Sequence, residues 1–280
     1  MKFSYLIFAI TLLASCSSKQ LQKESTDAGR SESMDSVRPI IAALNEQSKA
    51  GESLKAEGTI TLTDNGSSQS GTFELKSKRI FDGEHIDSLS MVVSGPFGIT
   101  AAKFLGCTGE YCFYNAIEGE NYKGKPDPKA LEKLTGMKGL TIEALNNVVY
   151  GFAPNHLEIS KEDSAAYFKL SDEDHRLYIW RQNENFTEVI TFRGKLPSAG
   201  SSKTPVKVVK YERWNKHISP GALVNFTPDL TIEYTGKYSS QYYYLPNYIK
   251  AISGRTSLEI EYQNATQNPN PLTVKIKMPE

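Results

Sequence analysis

The chain has 280 residues, room for one large domain or two small ones, and is 39% hydrophobic and 23% charged, as an ordinary globular body is. Its 32 basic side chains are matched by 32 acidic ones. That balance gives no support for a nucleic-acid partner, which selects a basic surface.

The N-terminus differs from the rest. Lys2 is a short basic region, and Phe3 to Ala14 is almost wholly apolar. Such a run is too short to span a bilayer but fits the apolar core of a secretory signal. It ends in Leu13-Ala14-Ser15-Cys16, a bacterial lipobox at all four positions. Residues 1–15 are therefore expected to be cleaved and Cys16 to be acylated. Several acyl chains anchor stably where one binds marginally. Ser17 to Ser33 is polar and reads as a disordered tether, about 23 Å in root-mean-square span. Ser17 and Ser18 follow the anchor with no Asp there, which favours the outer membrane. Residues 34–280 are expected to form a single folded domain.

Within that domain, Val37, Ile40, Ile41 and Leu44 stand at helical spacing, so 34–51 reads as a helix. Asp35 or Ser36 is expected to cap it, with Pro39 in its first turn and Gly51 as its stop. Period-two patterns follow over 54–62 and 72–79, joined by Asn65-Gly66, and then over 86–94. Gly95-Pro96-Phe97-Gly98 breaks the pattern before 99–106 and 111–116. Neighbouring strands in succession imply an antiparallel meander rather than βαβ units. Two helices are expected over 127–135 and 141–150, the second with Leu145, Val148 and Val149 on one face and Gly151 as its stop. Strands resume over 166–170, 176–182, 188–193, 206–213 and 230–234, and 258–262 with 272–278 reads as a closing hairpin around an Asn- and Pro-rich loop at 264–271. The expected fold class is α+β: a long antiparallel sheet with a few helices covering one face, of a length that tends to curl toward a barrel.

Cys107 and Cys112 flank a hairpin turn. In an exported protein they either form a disulfide or serve as two small apolar residues on one sheet face. They are too few for a metal site, and no metal or other cofactor is expected.

Catalytic patterns are missing. The four histidines, His85, His156, His175 and His217, are scattered, and no Gly-x-Ser-x-Gly elbow occurs. Gly119 to Lys125 has phosphate-loop spacing, but Pro126 stands where the Mg²⁺-binding hydroxyl belongs. Asp172-Glu173-Asp174 reads as a solvated turn, and Lys103 as a solvent-face side chain. Four Asn-x-Ser/Thr matches are incidental in a bacterial lipoprotein. The chain is not expected to be an enzyme.

Two segments carry a family resemblance. The first is Gly95-Pro96-Phe97-Gly98-Ile99-Thr100, between two strands. The second is Leu134-Thr135-Gly136-Met137, then Leu145, then Gly151-Phe152-Ala153-Pro154. Together with element order from Met34 to Arg193, they resemble the outer-membrane lipoprotein receptor family LolB and, more loosely, the soluble periplasmic LolA carriers. The likeness fades past residue 195, where the Tyr-rich stretch 241–248 and the segment 258–278 look longer and resemble a LolB-like group of bacterial lipoproteins. The resemblance implies a sheet curled into an open, incomplete β-barrel with helices covering its mouth, whose apolar cavity takes the acyl chains of another lipoprotein, or another lipid, from a LolA-type carrier. It implies a periplasm-facing, lipid-anchored, monomeric protein at the outer membrane.

In that family an apolar residue on a projecting loop assists insertion of cargo into the membrane. The matching residue here is Phe97, between Pro96 and Gly98; the alternative is that Phe97 folds back as a lid on the core. Leu89, Met91, Val93, Phe113, Leu145, Val148 and Val149 are the candidates to line the cavity, and plain core packing is the other reading for each. The competing function is an accessory lipoprotein that binds a protein partner and has no open lipid cavity.

Overall fold

The computed structural model describes residues 34–49, 52–79, 88–107, 110–116, 119–125, 132, 137, 141–154, 157, 159–182, 184–194, 206–236 and 245–268. The signal, Cys16 and the tether lie outside them. So do most of the 127–135 helix and all of the 272–278 strand.

Thirteen antiparallel strands form one sheet. The first six are β1 (Ser53–Asp64), β2 (Ser67–Lys78), β3 (Ser88–Ser94), β4 (Thr100–Cys107), β5 (Glu110–Asn115) and β6 (Glu120–Gly124). The remainder are β7 (Ser164–Lys169), β8 (Asp174–Arg181), β9 (Phe186–Arg193), β10 (Lys207–Trp214), β11 (Leu230–Thr235), β12 (Tyr248–Ser253) and β13 (Thr256–Gln267). Their order is β6-β5-β4-β3-β2-β1-β13-β12-β11-β10-β9-β8-β7. Two meanders thus meet at a central β1–β13 seam, and β6 and β7 are the two free margins. The sheet is not closed into a barrel, which matches the open architecture expected.

The sheet curls where its backbone is thinned. Between Glu57 and Gly58 the β1–β13 register slips by one residue. There a Cβ on Gly58 would run into the carbonyl oxygen of Glu261. A second slip falls between Val93 and Ser94. Nearby, a Cβ on Gly71 would stand 2.6 Å from the Ser94 carbonyl oxygen. Bulges and close-approach glycines are the usual means of bending a sheet.

Strand alternation sends one set of side chains to the concave face. Leu54, Phe73, Leu75, Leu89, Met91, Leu177, Ile190, Ile232, Ile249 and Ile260 form a continuous buried core there. Two helices cover it. In α1 (Met34–Lys49), Val37, Ile40, Ile41 and Leu44 are all buried, each contributing about 1.5–3 kcal/mol by transfer from water. Asp35 and Ser36 lie inside this helix rather than capping it, because it begins at Met34, and Pro39 falls past the first turn. The helix packs on β7. Asn45 ties it down by donating to the Leu157 carbonyl (2.8 Å) and accepting from the Leu157 N–H (3.2 Å).

The second helix, α2 (Ile142–Val149), starts at Thr141, whose Oγ1 accepts from the Ala144 N–H at 3.0 Å. It ends as a left-handed glycine dictates. Gly151 has φ 80°, its N–H reaches the Val148 carbonyl, and the Phe152 N–H reaches Asn147.

Three further departures from the sequence reading concern strands. Residues 264–267 are not a loop but the end of β13, where Asn264 faces Glu57 and Ala265 faces Ala56. Pairing to the central strand overrides the turn preference of Asn. β12 was not expected, and neither was β6, whose Glu120 to Gly124 fills most of the phosphate-loop spacing.

A smaller apolar cluster sits on the opposite face, formed by Ala166, Tyr178, Val189, Trp214 and Ile218. The excursion 215–229 between β10 and β11 covers it, and Ala222 and Leu223 of that excursion pack onto it.

Candidate functional site

The concave face under α1 and α2 brings most of the sequence candidates together. Leu89 and Met91 are buried on β3, with Val93 half-buried beyond them. Leu145, Val148 and Val149 reach the same core from α2, which packs against β3. Phe113 is set apart. It points from β5 to the same face, across from Phe104, but it is half-buried and sits beside Tyr122, with ring centroids 6.4 Å apart.

Polar groups that the sequence does not reveal fasten α2 to the sheet. Tyr262 of β13 donates its hydroxyl to the Val149 carbonyl at 2.7 Å. Tyr234 of β11 donates to the Phe152 carbonyl at 2.6 Å, and Tyr150 donates to the Ser77 carbonyl of β2 at 3.4 Å. Ser77 also bonds the Asn146 side chain. Helix C-termini leave carbonyls without intrahelical partners, and here the sheet supplies donors to them. Burial pushes the Tyr262 phenol well above its usual range, so it remains a donor at every physiological pH. No local signal marks Tyr234 or Tyr262, since their partners lie far away in sequence.

The loop at 95–99 stands clear of this core. Pro96 to Gly98 form one turn of 3-10 helix, closed by the Gly95 N–H on the Ile99 carbonyl at 2.8 Å. Phe97 has φ 63°, a left-handed conformation that costs a residue with a Cβ about 1–2 kcal/mol. Its side chain is 101% exposed and that of Ile99 is 69% exposed. Phe97 is therefore not folded back as a lid.

Cys112 is a buried free thiol on β5, and the side chain of Cys107 lies outside those described. Leu105 faces Cys112 and Glu110 faces Cys107. The two cysteines therefore stand diagonally, not opposite one another. Asp172 lies in the exposed β7–β8 turn, paired with Lys169 at 2.9 Å, and Lys103 is exposed on β4. Among the described residues, no group of three or more metal-binding side chains forms.

One charged cluster is buried at the margin of the apolar face. Glu188 is fully buried, takes the Arg181 Nε at 3.0 Å, and accepts from the Tyr211 hydroxyl at 2.7 Å. Arg181 also reaches Asp163 at 3.0 Å. Burial opposes the Arg181 charge, and the two carboxylates outweigh it and raise its pKa. Burial likewise pushes the Asp163 carboxyl up. Bonds from Ser160, from Arg181 and from the Gln182 N–H prevail and hold it below the usual carboxylate range. Tyr211 is raised by burial and then by Glu188.

Asp174, bonded to Arg193, and Glu259, bonded to Lys250 and Tyr248, are depressed as well. A depressed carboxylate contributes stability above its unfolded pKa, near 4, and loses it as pH falls through the folded value. The melting temperature should accordingly hold between about pH 7 and 5 and fall below about pH 4. Asp163→Asn should flatten that acid decline. Asp174 should matter less, because its partner Arg193 is solvated. Thermal melts across this pH range test the assignment.

No protein-family model and no curated protein matches the chain. Among solved structures, it is similar to a DUF1329 family protein from Desulfovibrio piger at 10% identity and TM-score 0.55, over 83% of this chain and 92% of that one. A domain described as an outer membrane lipoprotein-sorting protein from Vibrio parahaemolyticus aligns at 13% identity and TM-score 0.47, covering 83% and 94% of the two chains. A LolA superfamily protein from Nitrosomonas europaea aligns at 8% identity and TM-score 0.45, covering 84% and 94%. At such identities the first of these shows likeness of fold alone: a long antiparallel sheet, not closed into a barrel, with few helices.

Proposed function

We propose that this chain is a lipid-anchored outer-membrane lipoprotein, facing the periplasm, that binds acyl chains of lipoproteins or other lipids and aids their localisation. The observation that carries this reading is the apolar concave face of an unclosed sheet, covered by α1 and α2. Acyl chains gain about 0.8 kcal/mol per buried CH₂. A chain entering beneath α1 would take over the surface now covered by Val37, Ile40, Ile41 and Leu44. No bond-making chemistry is assigned, and the partner class is a soluble LolA-type carrier. Cys16 supplies the anchor and Phe97 the contact with the receiving bilayer.

Phe97→Glu should leave the melting temperature unchanged, because the side chain touches no core, yet cut transfer of an acylated protein to liposomes at least several-fold. Normal transfer by this variant removes Phe97 from the mechanism. Mass spectrometry of the full chain purified from its native envelope tests the cargo itself, with co-purified acyl chains as the supporting result.

The bonds that fasten α2 favour a second reading, in which the interior stays shut and the chain serves as an accessory lipoprotein for a protein partner. Persistent lack of bound acyl chains, before and after exposure to lipid, selects it.

A further inference from the structure

We infer that the excursion 215–229 is a second point of contact with a phospholipid bilayer, at the same end of the sheet as Phe97. Strand alternation fixes the shared end. β3 runs toward Ser94 in the direction in which β1 runs toward Asp64, and so does β10 toward Trp214. The 95–99 loop, the Gly254-Arg255 turn and the excursion therefore all project together. From β3 to β11 is five strand steps, or about 24 Å along the sheet.

Within the excursion, Ala222 and Leu223 face the outer cluster, whereas Val224 is 81% and Phe226 42% exposed. The tip is held in place from below. Trp180 donates to the Ile218 carbonyl at 2.7 Å and Trp214 to the Phe226 carbonyl at 3.0 Å. Thr187 takes the Ile218 N–H at 3.0 Å and donates to the Lys216 carbonyl at 2.9 Å. Exposed apolar side chains on a braced loop are presented, not left over from packing.

Charge selects the occupant. Ser219 to Pro228 contains no charged residue. Lys216 flanks the tip with its Nζ 3.7 Å from the centre of the Phe226 ring, and the exposed Arg255 on the neighbouring turn stands beside Asp64. The excursion's one acid, Asp229, sits at its foot and accepts from the Asn215 N–H at 2.8 Å. An apolar tip with the Lys216 ammonium behind it suits acyl chains below and phosphates above. The exposed apolar tips stand five strand steps apart, a spacing that suits a broad fluid surface better than a single protein groove. The inference rests on the membrane-facing reading of Phe97 for the orientation of this end.

The test places the full chain in phosphatidylglycerol-containing vesicles made with brominated acyl chains, and reads tryptophan quenching. The chain's two tryptophans, Trp180 and Trp214, supply the baseline. Val224→Trp and Phe97→Trp add probes at the two tips, and Asp172→Trp adds one at the opposite end. Val224→Trp should be quenched at least twofold more than Asp172→Trp. Equal quenching of the two overturns the inference. Quenching of Phe97→Trp without Val224→Trp also overturns it and leaves the proposed function standing. Quenching of Val224→Trp in a protein that neither binds nor transfers acyl chains supports the contact and sinks the cargo reading.

Discussion

Glu188→Ala should destabilise the protein by about 3 kcal/mol, because it takes one carboxylate from a mostly buried guanidinium and the acceptor from a buried phenol. Arg181 is mostly shielded from water and would keep only Asp163 among the carboxylates that now bond it. Tyr211, fully enclosed, would lose the acceptor of its hydroxyl. For a domain of this size the melting temperature should drop by roughly 10 °C. Glu188→Gln should cost less, since an amide oxygen still accepts from Tyr211. An alanine variant that melts within a degree of the parent would show that the cluster contributes nothing to stability.

Gly58→Ala should cost about 3 kcal/mol or more, although it adds a single methyl group. The added carbon meets the backbone oxygen of Glu261, not a side chain that could swing aside, and overpacking against backbone has no inexpensive relief. The strain falls on the seam between the two meanders, so both should loosen together in urea titrations or hydrogen exchange. Gly66→Ala makes the contrasting control: nothing lies within 4 Å of its added carbon, and only its left-handed φ of 87° resists the change. Equal losses for the two variants would refute the steric account of the sheet's curl.

Elements with a strong internal rhythm were legible in the sequence. Val37, Ile40, Ile41 and Leu44 are the buried stripe of α1, and Gly151 ends α2 as its residue type implies. The strands on both sides of α2 also stand where period-two patterns place them. What escaped was set by distant partners. β12 is short, with Ile249 and Ala251 as its buried apolar pair behind a proline. β6 carries few apolar residues, because a marginal strand need bury little. Residues 264–267 look like turn chemistry until β1 offers a backbone ladder. Glu188 resembles any strand acid, and only the fold brings Arg181 and Tyr211 to it. The site was half legible in the same way. Hydrophobic candidates on β3 and α2 converge as their spacing suggests, while the tyrosines that hold α2 in place have no signature at all.

The seam of β1 against β13 has a consequence for biogenesis. Asp64 and Thr256 are hydrogen-bonding neighbours separated by roughly 200 residues, a long loop closure that slows folding. A nascent chain would expose the bare backbone of β1 throughout synthesis, ready to pair with whatever strand it meets. Premature termination anywhere before residue 256 would remove β13 and with it the ladder that joins the two meanders.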